Sequence, residues 1–155
     1  MTGPLVLHVR EASAFGRLLE LLVEYERSLP EQLRHGPEPD IQSVCLAYGE
    51  PNAAFVAFVD GMASGCIAVT RLDECAAVVQ RLYVRSEYRG HGLAHTLVAA
   101  AIDFCRKGDY QRVVLDTDSK RLPAAYGLYV SLGFTTCEPV YPVAYDSATF
   151  MELRL

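Results

Sequence analysis

The spacing of apolar and polar positions changes period several times along the chain, and each change marks an element. Leu5 to Val9 alternates with a step of two, the repeat of a half-buried strand. From Ala12 to Arg27 the step lengthens. Phe15, Leu18, Leu22 and Tyr25 recur every three or four residues, which predicts a helix with one apolar face. Ser28 to Pro39 holds three prolines and a glycine and reads as a loop with room for a short helical turn. Asp40 is a good N-cap for a second, short helix in which Ile41, Val44, Cys45 and Tyr48 share a face and Gly49 ends it.

Strand periods follow. Ala53 to Val59 is a strand, Asp60-Gly61 a hairpin turn, and Met62 to Thr70 the returning strand. After a polar turn at Asp73-Glu74, Ala76 to Val84 forms a third. Gly90 and Gly92 open a helix running to about Lys107, with Ala94, Leu97, Val98, Ala101, Ile102 and Cys105 as its apolar face and Gly108 as its end. Tyr110 to Thr117 reads as a buried strand. Pro123 starts another helix, closed by Gly133. Phe134 to Tyr145 and Ala148 to Leu155 are read as the last strands. The order β-α-α-β-β-β-α-β-α-β-β predicts one domain over residues 1–155, a mixed α/β (α+β) sandwich around one sheet.

Composition narrows the function. With 51% hydrophobic and 21% charged residues in 155, the chain is globular and builds one core without needing disulfides or metal. A net charge of −5 argues against a general nucleic-acid binder but leaves room for a local basic pocket. Five cysteines, an odd number with no C-x-x-C pair, argue against a zinc knuckle or a disulfide framework. Cys66 and Cys105 read as core residues, and a reducing cytoplasmic location is expected. The opening MTGPLVLHVREAS lacks a signal-peptide pattern, and no apolar run reaches the ~18 residues of a membrane span.

The chemistry is expected between Gln80 and His95. A strand ends, a turn with two glycines follows, and an apolar helix begins. The first backbone N–H groups of such a helix lack partners, glycine lets a ligand approach, and the helix dipole adds positive potential. Together they make a site for phosphate or pyrophosphate. Residues 81 to 95 carry Arg81, Arg85 and Arg89 against Glu87, a local net charge of +2. Leu93-Ala94 follows Gly92 where a P-loop needs Lys-Ser or Lys-Thr, and the three spaced glycines of a Rossmann turn are lacking.

Arg89-Gly90-His91-Gly92-Leu93-Ala94 resembles the R/Q-x-x-G-x-G/A signature of the GNAT superfamily of acyl-CoA-dependent N-acyltransferases. Arg81-Leu82-Tyr83-Val84 resembles the strand leading into it. The stretch from Ala125 through Tyr126 and Tyr129 to Leu132-Gly133-Phe134 is similar to the family's second landmark. The resemblance runs from about Ala53 to the C-terminus. It implies a mostly antiparallel sheet with a splayed central pair of strands and helices on both faces. It also implies acetyl-CoA as acyl donor, with pantetheine along the main chain of Leu82, Tyr83 and Val84, and pyrophosphate on the amides of Arg89, Gly90, His91, Gly92, Leu93, Ala94 and His95. By the same match the Val84 N–H is the oxyanion donor, Tyr129 the general acid toward the leaving thiolate, and Tyr126 a wall of the cofactor site.

Two positions depart from the resemblance. Val78 stands where relatives often carry a glutamate base, and Leu122 where many carry an asparagine. A water chain to Asp116, Asp118, Glu24 or Glu26, or an acceptor that arrives neutral, is left to take the base's place. His91 and His95 have metal-like spacing but no third ligand, so no metal is expected. Residues 11 to 40 carry a net −4, which favours a cationic acceptor, and Tyr141 and Tyr145 are candidate roof residues of its pocket. The acceptor implied is a small-molecule or peptide amine, with no nucleic-acid or membrane partner. Homodimers are common among relatives. Two rivals keep the glycine turn but change its use: a non-catalytic acyl-CoA sensor of the same fold, and a regulatory domain for another phosphate ligand.

Overall fold

The computed structural model describes residues 3–155. Seven strands form one sheet: β1 (Leu5–His8), β2 (Ala53–Val59), β3 (Met62–Arg71), β4 (Ala76–Val84), β5 (Arg112–Thr117), β6 (Thr135–Cys137) and β7 (Thr149–Arg154). Four helices accompany them: α1 (Ala12–Ser28), α2 (Ile41–Ala47), α3 (Leu93–Lys107) and α4 (Pro123–Ser131). The order of elements is the one the sequence pattern predicts, and β2 and β4 begin and end at the expected residues.

The sheet order is β1-β2-β3-β4-β5-β7-β6, and only the β4–β5 pair is parallel. Both faces are covered, which explains why β2, β3 and β4 are apolar almost throughout rather than alternating. Leu18, Leu21 and Leu22 of α1 and Val44 of α2 pack with Val56, Cys66 and Ala68 on one face. Leu97, Val98 and Ala101 of α3 and Tyr129 of α4 pack with Ile67, Val79, Val113 and Leu115 on the other.

Caps and turns act as their residues predict. The Asp40 carboxylate accepts from Ser43 N–H at 2.8 Å at the start of α2. Asp60 and Gly61 both take positive φ, as a two-residue hairpin requires. On α2, however, only Val44 and Tyr48 are buried, while Ile41 and Cys45 face solvent. A helix of two turns buries one narrow ridge, and it does so beside α1. In α3 it is Leu93 that is buried, with Ala94 only partly covered.

Near the C-terminus the expectation fails. The strand expected over Phe134 to Tyr145 is only Thr135–Cys137. Pro139 and Pro142 lack the N–H groups a ladder needs, and the chain beyond Cys137 leaves the sheet.

Two irregularities shape the centre of the sheet. Pairing between β4 and β5 covers only Ala76↔Arg112, Ala77↔Val113 and Val78↔Val114, after which the strands part, while β5 stays paired to β7 as far as Thr117. On its other edge, β4 bulges against β3. Cys66 faces Tyr83 and Ala68 faces Gln80, so Ile67 opposes both Arg81 and Leu82, and Arg81 takes φ 59°. The bulge inverts the side-chain alternation. Ala77 and Val79 before it, and Leu82 and Val84 after it, all face α3.

Candidate active site

The gap between β4 and β5 is lined by main-chain groups that pair with neither strand. Arg85 N–H donates to Ser64 O on β3 at 2.9 Å. Main-chain groups alternate sides along a strand, so those of Tyr83 also face β3 and those of Leu82 and Val84 face the gap. Gly65, opposite Val84, lets β3 and β4 lie close together under α3: a Cβ there would lie 2.7 Å from Tyr83 O and 3.1 Å from Leu97 Cδ1.

The glycine turn follows directly. Gly90 and Gly92 have φ 83° and 78°, and a Cβ at either would meet nothing within 4 Å. Glycine is needed here for conformation, and the space beside it is open. No side chain caps α3, and Thr96 N–H bonds Gly92 O, so the preceding amides of Leu93, Ala94 and His95 point out of the first turn. Arg89 differs from its neighbours: its amide is engaged by Ser86 O and its Nε–H by Val84 O at 2.9 Å. His91 and His95 are exposed, and among the described residues no side-chain group is arranged to hold a metal.

Two of the three local arginines are engaged by carboxylates. Arg85 clasps Glu24 of α1 through Nε (2.9 and 3.1 Å) and Nη2 (2.6 Å), and Arg81 Nη1 donates to Glu26 at 2.9 Å. Glu24 also accepts from Tyr83 Oη, and its acidity is increased chiefly by the Arg85 hydrogen bonds. Burial opposes ionisation of Glu26, yet hydrogen bonds from the backbone and ring of His35, with the charges of His35 and Arg81, keep its pKa below the ordinary range. Two carboxylates of the acidic helical region are therefore paired with two of the three arginines of residues 81 to 95. An anion at the turn meets backbone dipoles and the charge of Arg89, which forms no ion pair among the described residues. A cavity of about 160 Å³ lies beside this network, lined in part by Leu22, Glu26, His35, Tyr48 and Arg81.

Tyr129 projects from α4 with 6% of its surface exposed and its ring edge-on to Phe134 at 5.6 Å. Burial, then the neighbouring Tyr25 and the charge of Asp116, raise its pKa, so the phenol keeps its proton. Tyr126 is half-buried one turn earlier. Asp118 is a turn residue: it accepts from the amides of Lys120 and Arg121 and from Arg121 Nη1. Arg121 is thereby tied down, while Lys120 is exposed. Asp116, two residues earlier, accepts instead from Tyr141 Oη (2.6 Å) and Tyr145 Oη (2.8 Å).

Comparison with known proteins agrees with this geometry. The model of the acetyltransferase (GNAT) family matches residues 17–134. The chain belongs to the GNAT family. An uncharacterised N-acetyltransferase of Schizosaccharomyces pombe is 38% identical over 111 residues, 70% of this chain and 68% of that protein. N-acetylaspartate synthetase of Danio rerio is 34% identical over 98 residues, 61% of this chain but only 34% of that longer protein. Among solved structures, a Salmonella typhimurium protein with its cofactor acetyl-CoA superposes with a TM-score of 0.82 at 17% identity, covering 99% of this chain and 94% of that one. An acetyltransferase of Streptococcus agalactiae superposes with a TM-score of 0.79 at 21% identity over the full length of both chains. This GNAT domain thus has the splayed sheet and the helices on both faces that its sequence landmarks imply. Among the described residues no helix is long and apolar enough to cross a membrane.

Proposed function

We propose that the protein is an N-acetyltransferase that moves an acetyl group from acetyl-CoA to a primary amine by direct attack, in a cytoplasmic setting in keeping with its five free thiols. The observation that carries this reading is the parting of β4 from β5 beside a glycine turn with outward amides. A pantetheine-sized arm fits against the main chain of Leu82 and the N–H of Val84, with Tyr83 keeping the strand in register. The diphosphate fits the amides from Gly90 to His95, with Arg89 bracing the turn and Tyr126 walling it.

In this reading the Val84 N–H points at the thioester oxygen. A fixed donor there stabilises the charge that develops on attack. Tyr129, across the gap, donates to the sulfur as coenzyme A leaves. Release of free thiol from acetyl-CoA, measured against primary amines, tests the reading. The panel includes α-amino acids, because relatives named N-acetylaspartate synthetase are similar over this region. Turnover with any amine supports it; tight acetyl-CoA binding without turnover favours the sensor instead, the reading that Val78 and Leu122 favour because neither supplies a polar group.

A further inference from the structure

Asp116 is unlike the other partly or fully buried carboxylates beside it. Glu24 pairs with Arg85, Glu26 with Arg81, Asp118 with Arg121 and Glu152 with Arg112. Asp116 forms no ion pair among the described residues; each of its oxygens instead accepts one phenol proton, from Tyr141 and Tyr145. A carboxylate offers about four lone-pair positions, so two phenols leave roughly half of them open. Phenols also fix the group without cancelling its charge, as an arginine would. Burial is the main cause of the raised pKa of Tyr25 on α1 and of Tyr129 on α4, and the charge of Asp116 adds a smaller share to each.

Its position gives this charge a use. Val113 and Leu115 face α3, so Asp116 lies on the opposite side of β5, the side that carries α1. It stands beyond Val114, the last residue of β5 paired to β4, and so at the open part of the gap. Tyr129 belongs to the α3 side. A bound thioester in the gap would therefore have the phenol on one side and the carboxylate on the other. The irregular chain between Cys137 and Thr149 supplies both grips, Tyr141 also packing edge-on to Phe150 at 4.9 Å, and Phe150 pairs with Asp116 across β7.

We propose that Asp116, oriented by Tyr141 and Tyr145, is the seat of the acceptor's amino group, binding it as an ammonium and taking its proton as the C–N bond forms. This rests on the acetyltransferase reading. An arriving ammonium first loses one proton to water by way of Asp116. The amine lone pair then bonds to the acetyl carbon and the C=O π pair moves to oxygen. The positive nitrogen of the adduct gives its proton to Asp116. The pair on oxygen re-forms the C=O bond as the C–S bond breaks with its electrons on sulfur, which takes the Tyr129 proton, and the proton on Asp116 restores the phenol through water. The balance is one acetylated amine, one thiol and one proton released. The acceptor class is a primary amine that is cationic in solution.

Two measurements on the full chain test this. In thiol-release kinetics with acetyl-CoA and n-butylamine, spermidine, phenethylamine and L-aspartate, Asp116→Asn should lower kcat/KM for every amine that turns over by about 100-fold, with the KM for acetyl-CoA unchanged. Tyr141→Phe and Tyr145→Phe should each raise the amine KM several-fold, and Asp116→Glu should recover part of the activity. Separately, n-butylammonium chloride is titrated into the coenzyme A-saturated protein and followed by fluorescence of the nine tyrosines, undisturbed by tryptophan. Binding lost in Asp116→Asn supports the seat even if no amine is acetylated, a result that would defeat the acetyltransferase reading alone. Equal binding by wild type and Asp116→Asn, no binding by either, or wild-type turnover in Asp116→Asn overturns it. If Asp116→Asn melts early, the Tyr141→Phe, Tyr145→Phe double variant decides by the same readouts.

Discussion

Arg89 Nε–H donates to Val84 O at 2.9 Å, so the arginine that opens the glycine turn is tied to the last residue of β4. The bond links the proposed diphosphate site to the proposed oxyanion donor. Arg89→Ala should loosen both together. We expect acetyl-CoA affinity to fall about tenfold by calorimetry, with the melting temperature little changed. Unchanged affinity would mean that the turn holds its shape without the arginine.

Gly92→Glu tests the turn itself. The new side chain meets no wall, but the residue must hold φ 78° and places a negative charge beside the amides of α3. Acetyl-CoA binding should become undetectable while the circular dichroism spectrum stays native. Normal affinity in a folded variant would refute the phosphate site.

Tyr129→Phe keeps the packing against Phe134 and removes the proton donor. We expect kcat to drop by about 100-fold and acetyl-CoA binding by much less. Burial raises the phenol's pKa, so wild-type kcat should show no loss from Tyr129 ionisation up to about pH 10. Full turnover in Tyr129→Phe would exclude the acid role.

Gly65 carries a packing constraint that no turn announces. Alanine there would push a methyl group against the Tyr83 carbonyl and Leu97. Overpacking of this kind costs about 1–3 kcal/mol, readable as a lower midpoint in urea. A variant as stable as wild type would show that β3 and β4 can part without penalty.

His8 should govern part of the acid response. Its ring sits edge-on to Phe55 at 4.8 Å and stacked on Phe104 at 5.6 Å, and both ring nitrogens are buried without partners. Burial, then the charge of Arg10, lowers its pKa in the folded state, and Glu50 only partly opposes them. The unfolded chain therefore binds the proton better. Stability is full above the unfolded value of 6.5 and is lost as pH falls through the lower folded value. His8→Phe should flatten the fall of melting temperature between about pH 7 and pH 5. Parallel slopes in the two proteins would contradict this.

Elements whose cause is local were legible in the sequence. The limits of β2 and β4, the Asp40 cap, the Asp60-Gly61 hairpin and the glycine turn all follow from neighbouring residues. The bulge at Arg81 was not, because no glycine marks its positive φ. Charge counting along the chain does not report which charges meet. It found an acidic segment and a basic one, but the fold brings Glu24 to Arg85 and Glu26 to Arg81. Asp116, Tyr141 and Tyr145 each attracted notice separately in the sequence. Their convergence depends on a chain that two prolines turn out of the sheet, and no periodicity reports such a path.

The three-pair seam between β4 and β5 gives the sheet the form of a book with a short spine. Strands β1 to β4 make one cover, and β5, β7 and β6 the other. Because β5 stays tied to β7 as far as Thr117, the whole opening falls at this one seam and none of it within either cover.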